Sequence, residues 1–217
     1  MPVTPPDALL FIAPCCPHCA IVLQGLNELV KQSLIGELTV VDVAEHPEQA
    51  AKYGVRATPW LRLGPFTLTG AHSPAELRLW AEWASGEEGT AHYVEHLLKQ
   101  GGYKQAVAFI DADTDRLKPL LTIIANPGAN IEVRLGTSAL LEAHANTPEL
   151  RKLLPRLAEF TRHADHRVRA DACHLLGLTG SAAARTHVAA CLSDAHEEVR
   201  EIAKEAMEEL KKKNAKA

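Results

Sequence analysis

Apolar positions in the first eighty-five residues follow two alternating periods. An apolar run at residues 9–13 stops at Pro14, as a buried strand would. From Cys16 to about Ser33, the residues Ile21, Leu23, Leu26, Leu29 and Val30 recur at helical spacing. Residues 38–43, Leu-Thr-Val-Val-Asp-Val, form a second β-branched run, and residues 47–53 a short helix stopped by Gly54. Residues 60–63 and 66–69 flank Gly64-Pro65, which predicts two strands joined by a tight turn. Ser73-Pro74-Ala75-Glu76 combines an N-cap, a proline at the first helical position and a capping-box glutamate. The helix it opens carries Leu77, Leu79, Trp80 and Trp83, placed against the sheet or the second half of the chain. The predicted order is β-α-β-α-β-β-α, an α/β domain.

Beyond Gly86 strand signals nearly vanish. Helical periodicity is broken at Gly101-Gly102, Asn126-Pro127-Gly128, Asn146-Thr147-Pro148 and residues 177–181. Val133-Arg134, Val168-Arg169 and Val199-Arg200 each open a helix, and the valines are 35 and then 31 residues apart. Stepping three, four, seven and eight residues from each valine gives one face three times. These faces are Gly136, Thr137, Leu140, Leu141; then Asp171, Ala172, Leu175, Leu176; then Ile202, Ala203, Ala206, Met207. Partner helices are marked by Leu117, Leu120, Leu121 and Ile124, by Leu150, Leu153, Leu154 and Leu157, and by Val188, Ala189 and Leu192. A helix pair that cannot bury its stripe alone stacks on its neighbours, which gives an α-solenoid. With Asp165 and Asp194 ahead of the second and third Val-Arg, this half resembles HEAT repeats; the first copy departs, with Asn130 and no aspartate there. On the last helix, Glu208–Lys212 and Glu209–Lys213 are spaced for i,i+4 pairs. The expected division is 1–86 for the α/β domain, 87–114 for a helical connector and 115–217 for the repeats.

At 217 residues, with 47% hydrophobic and 23% charged residues, the chain has room for two folded domains and is not a disordered polymer. The net charge of −4, with Lys211-Lys212-Lys213 as the cationic run, speaks against nucleic acid. The apolar runs are too short for a membrane span. The opening Met-Pro-Val-Thr-Pro-Pro-Asp lacks the features of a secretory signal, so a cytoplasmic location is expected. There are five cysteines, and Cys15, Cys16 and Cys19 sit within five residues. An odd count disfavours a fully paired framework, and the clustering favours redox or metal chemistry.

Cys16-Pro17-His18-Cys19 lies where a strand hands over to a helix. Two cysteines separated by two residues can close a disulfide within one turn. A thiolate there would be stabilised by free backbone N–H groups and the positive end of the helix dipole. Pro17 is expected at the first helical position. His18 adds a potential positive charge beside Cys16, which favours the reduced pair and makes the disulfide the better oxidant.

Residues 50–59, Ala-Ala-Lys-Tyr-Gly-Val-Arg-Ala-Thr-Pro, resemble the second half of a thioredoxin domain, in which the matching proline is cis. The first half of the chain is therefore identified as a glutaredoxin-sized thioredoxin-like domain, and its Pro-His dipeptide is similar to that of DsbA-type dithiol oxidases. The resemblance implies a thiol–disulfide oxidoreductase with Cys16 as nucleophile and Cys19 as resolving thiol. Pro17 and His18 would tune the potential, and Thr58 and Pro59 would shape the substrate groove, with Trp60 a candidate for its border. No cofactor is implied beyond the Cys16–Cys19 disulfide. The implied partners are a protein thiol or disulfide and a protein held by the repeats, with neither nucleic acid nor membrane. Two positions depart from the family: Leu10 stands for its buried acid and Val40 for its buried lysine.

Other readings stay open. Cys15 is a spare thiol that reshuffles with Cys16, or a small residue with no role. Cys15, Cys16, His18 and Cys19 could hold zinc or copper; the proline and the thioredoxin frame argue against it, and no metal site is assigned. His92 and His96 are one turn apart without an evident third ligand. His163, His166 and His174 are expected on surfaces between repeats. Cys173 and Cys191 lie on consecutive predicted helices, as small core residues or a second redox pair. As alternatives to the enzyme, the chain could be a redox-sensing interaction scaffold without turnover, or a soft-metal binding protein.

Overall fold

The computed structural model describes residues 4–214. They divide into two compact units, one running to Tyr93 and one starting at Val94. Among the described residues no helix is long and apolar enough to cross a membrane.

The first unit runs β1 (Ala8–Ile12), α1 (Cys19–Lys31), β2 (Leu38–Asp42), α2 (Pro47–Lys52), β3 (Trp60–Leu63), β4 (Phe66–Thr69) and α3 (Pro74–Ala84). The sheet order is β2-β1-β3-β4; β1 and β2 are parallel, while β3 and β4 are antiparallel to their neighbours. Alternation along β1 sends Leu9 and Phe11 to one face. There Phe11, Val41 and Trp60 form a cluster covered by Ala50, Tyr53 and Val55. On the other side α1 packs on α3, where Gly25 admits Leu77; a Cβ on Gly25 would lie 2.7 Å from its Cδ1. The capping box forms as expected, with Ser73 Oγ accepting from Glu76 N–H and Glu76 accepting from Ser73 N–H. Trp80 is buried as expected, but Leu79 lies on the solvent side of α3. Tyr93 stacks on Phe66 at 4.7 Å, and its hydroxyl bonds both the N–H and the carbonyl of Thr67, covering the exposed edge of β4.

Helix α4 (Gly89–Lys99) spans the division between the units. The second unit continues with α5 (Tyr103–Asp111), a 3₁₀ turn (Thr114–Arg116), α6 (Leu117–Ile124), α7 (Ile131–Glu142), α8 (Pro148–Lys152), α9 (Leu154–Phe160), α10 (His166–Leu178), α11 (Ala184–Cys191) and α12 (Glu197–Asn214). The three Val-Arg helices are α7, α10 and α12, and each of their valines is fully buried. Two details differ from the sequence reading. Pro155 lacks an N–H and its ring disfavours a continuous helix, so the second partner helix is split into α8 and α9. The third buries Ala184, Val188 and Cys191, while Ala189 and Leu192 are exposed, so its apolar stripe is rotated from the expected one.

The arginine after each valine explains the motif. Arg134 donates to the carbonyls of Ile124 and Asn126, Arg169 to those of His163 and Ala164, and Arg200 to those of Asp194 and Ala195. Each guanidinium thus satisfies carbonyls at the turn between the helices of its pair. Asp165 and Asp194 are not equivalent. Asp165 N-caps α10 through Arg167 N–H, and Asn130 does the same for α7 through Glu132 N–H. Asp194, which accepts from His196 N–H, is matched by His163, whose Nδ1 accepts from Asp165 N–H. The first copy therefore departs in residue type but not in capping geometry. On α12, Lys212 pairs with Glu209 at 3.3 Å; the side chain of Lys213 lies outside the described residues.

Candidate functional site

The sheet register sets the site. Phe11 at the end of β1 pairs with Trp60 at the start of β3, Ile12 with Asp42 at the end of β2, and Trp60 with Thr69 at the end of β4. The segments that follow β1, β2 and β4 and the one that precedes β3 therefore leave the same end of the sheet. Cys15 to His18, Thr58-Pro59 and Gly70 to His72 all belong to these segments.

After β1 the chain makes a turn over residues 13–16, closed by Cys16 N–H donating to the Ala13 carbonyl at 3.3 Å. Pro14 fills its second position, and Cys15 its third with a φ of +62°. That is the left-handed region glycine and asparagine favour. Cys16 and Cys19 are joined by a disulfide with an S–S distance of 2.14 Å and Cα atoms 5.4 Å apart. Cys16 is half-buried and Cys19 is buried, while Pro17 and His18 are exposed. Cys15 is an exposed free thiol.

Helix α1 begins at Cys19, not at Cys16, and Pro17 lies two residues outside it. A residue before proline is steered away from helical backbone, so Cys16 stays in the turn. Cys19 N–H then donates three residues back to the Cys16 carbonyl at 3.3 Å. His18 is the N-cap residue but makes no side-chain capping bond. The helix dipole still ends beside the bridge, and its first turn is not blocked by a side-chain cap.

The Thr58–Pro59 peptide bond is cis. Thr58 is half-buried and Pro59 is buried. The Pro59 carbonyl accepts from Gly70 N–H at 2.9 Å, which ties the β4–α3 segment to the proline loop. Gly70 has a φ of +90°. His72, two residues on, is half-buried; burial holds its imidazole below its ordinary pKa, and its Nε2 has no hydrogen-bond partner among the described residues. Sequence reasoning missed Gly70 and His72; the available signal was a glycine directly after an edge strand. Trp60, the candidate for the groove's border, is buried edge-on against Phe11 at 5.4 Å and tilted against Tyr53 at 6.0 Å. Leu10 is fully buried and pairs in register with Val40, which is 40% exposed. Neither can carry a proton.

In the second unit Cys173 on α10 and Cys191 on α11 are both buried and both free thiols. Interaction with Cys191, then burial, pushes the Cys173 thiol up, while interaction with Cys173 pulls Cys191 down; the Cys191 thiol donates to the His187 carbonyl at 3.6 Å. His92 is stacked on Trp83, with centroids 4.1 Å apart. Among the described residues the three-ligand cluster is elsewhere, at His166, His196 and Glu198.

Two family models match the chain. Residues 9–82 match a thioredoxin domain and residues 117–208 match HEAT repeats. No curated protein gives a match.

Proposed function

We propose that this thioredoxin-like domain fused to HEAT-like repeats is a thiol–disulfide oxidoreductase that works through Cys16 and Cys19 on protein substrates. The observation that carries the reading is the Cys16–Cys19 bridge at the sheet end from which the cis Thr58–Pro59 segment also leaves.

A substrate thiolate attacks the Cys16 sulfur, the Cys16–Cys19 bond breaks, and its electron pair leaves on Cys19, which takes up a proton. A second substrate thiolate attacks the substrate sulfur of this mixed disulfide and releases Cys16 as a thiolate. The substrate gains a disulfide, and the two electrons remain on the Cys16/Cys19 dithiol; the reverse sequence reduces a substrate disulfide. The greater exposure of Cys16 supports its assignment as the attacked sulfur and Cys19 as the resolving thiol. Unblocked N–H groups at the start of α1, and His18 when protonated, stabilise a Cys16 thiolate. Pro17 holds the turn between the sulfurs, and Thr58 and Pro59 offer backbone to an extended substrate. With leucine and valine at positions 10 and 40, water supplies or removes the Cys19 proton. The repeats recruit or orient the substrate protein. Free thiols at Cys15, Cys173 and Cys191 fit a reducing compartment such as the cytoplasm.

The test is equilibration in glutathione redox buffers, with thiols counted by mass spectrometry after alkylation, in the Cys15→Ser background. A reversible two-electron transition lost in Cys16→Ser supports the reading. Cys19→Ser should instead accumulate a mixed disulfide at Cys16. If no disulfide forms across the buffer range, the reading fails.

A further inference from the structure

The second and third repeats place three metal-ligating side chains together. His166 is the first residue of α10, His196 directly precedes α12, and Glu198 lies in its first turn. The imidazoles of His166 and His196 stack with centroids 3.6 Å apart and planes inclined by 17°. Glu198 Oε2 lies 3.6 Å from His166 Nε2 and 3.9 Å from His196 Nδ1. One ligand atom from each residue lies within 4.8 Å of the other two.

We propose that His166, His196 and Glu198 bind a divalent borderline transition metal, Zn²⁺ or its chemical neighbours Co²⁺ and Ni²⁺. Two imidazole nitrogens and one carboxylate oxygen suit these ions, whereas Mg²⁺ and Ca²⁺ need shells of oxygen. Ligands about 2.0–2.1 Å from a tetrahedral metal lie roughly 3.4 Å apart. Both histidine–glutamate separations are already close to that edge. The stacked rings aim their lone pairs along nearly parallel lines, so coordination requires one imidazole to turn about its side-chain bonds. His196 and Glu198 are exposed and His166 is half-buried, so the His196 ring is the one with solvent to turn into, giving up its stack on His166. Three protein ligands leave a fourth position for water or an external donor. The positive ends of α10 and α12 and the guanidinium of Arg167, which interacts with Glu198, oppose the cation. The site is therefore a moderate binder and not a closed structural centre. A metal here ties α10 to α12, so binding also stabilises the repeats.

The test is a Co²⁺ titration of the full chain carrying Cys15→Ser, with the Cys16–Cys19 bridge oxidised so that no accessible thiol competes. Saturable binding of one equivalent, displaced by Zn²⁺ but not by Mg²⁺, is expected, with a rise in the melting temperature. His166→Ala and His196→Ala should each weaken Co²⁺ binding at least about tenfold. Melting without metal reports whether each variant folds, and both side chains are accessible enough for the fold to survive their loss. Binding that is unchanged in the His166→Ala/His196→Ala double variant, that Mg²⁺ displaces, or that is not saturable would overturn the proposal.

Discussion

Arg169 holds Asp194 by both carboxylate oxygens, Nε to Oδ2 and Nη2 to Oδ1, each at 2.8 Å. Its third donor, Nη1, reaches the carbonyls of His163 and Ala164. One side chain thus closes the turn of the second repeat and fastens the third. The Arg134–Asp171 pair does the same one repeat earlier. Repeat arrays derive their stability from such nearest-neighbour interfaces.

Removing this clamp should destabilise the helical unit. The Arg169 and Asp194 side chains are only 15% and 11% exposed, so Arg169→Ala leaves a carboxylate and two carbonyls short of partners. A loss of about 2 kcal/mol is expected in urea denaturation of the full chain, read by far-UV circular dichroism. Arg167→Ala, which breaks the exposed Arg167–Asp165 pair, should leave the unfolding midpoint unchanged.

The same pair sets an acid limit. The Arg169 bonds hold the Asp194 carboxyl below its ordinary value of 3.8, with His196 N–H adding to the shift. A carboxylate whose folded-state pKa is depressed stabilises the fold above the unfolded value, and that stability is lost as pH falls through the folded one. Asp171 has the opposite sign, because burial outweighs Arg134 and raises it; its protonation favours the fold as pH falls. Denaturation between pH 6 and pH 3 should therefore show the wild type losing its advantage over Asp194→Asn below about pH 4. An advantage independent of pH would refute the assignment.

Two helical glycines should respond differently to alanine. At Gly177 on α10 a Cβ would meet the Ala206 Cβ at 2.8 Å and its Cα at 2.9 Å, so α12 itself must move. At Gly136 on α7 it would meet the Leu98 Cδ2 at 2.7 Å, the end of a side chain that can rotate. Gly177→Ala should cost about 1–3 kcal/mol by overpacking. Gly136→Ala should be close to neutral, because a helix-propensity gain of up to about 1 kcal/mol offsets the rearrangement. Thermal melts of the two variants check the order.

The backbone at Cys15 restricts which side chains the position accepts. At a φ of +62° the Cβ of any residue, Cys15 included, crowds the carbonyl oxygen, and a β-branched residue adds a second γ atom to that crowding. Glycine relieves it at the cost of the extra chain entropy it loses on folding. Cys15→Gly should keep the Cys16–Cys19 redox transition and the melting temperature. Cys15→Val should lose about 1–2 kcal/mol relative to it. A shifted redox midpoint in Cys15→Gly would give the thiol a chemical role after all.

The elements that were legible in the sequence are those whose signals are local. The strands around Gly64-Pro65 and the capping box at Ser73 match the structure to the residue, because turn and cap chemistry act over four positions. The Cys16–Cys19 pair was legible for the same reason. The start of α1 was misplaced because Pro17 serves a helix start and a preceding turn equally well. The burial of Trp60 was not legible because it depends on Phe11 and Tyr53, which are far away in the chain. The metal-ligand cluster escaped notice because His166 and His196 are thirty residues apart and meet only when α10 packs on α12. Gly70 is tied to the proline loop through a bond to the Pro59 carbonyl, which no spacing rule reveals, and His72 follows two residues later.

Arg200 bonds the carbonyls of Asp194 and Ala195 as Arg134 and Arg169 bond those of their own turns. Those two also grip an acid of the following repeat, whereas among the described residues the bonds of Arg200 go to these carbonyls alone. Among the described residues Arg200 is therefore a connector with a spare socket. An acid brought opposite Arg200 by a further helix pair would find its docking point already oriented, as Asp171 and Asp194 find theirs.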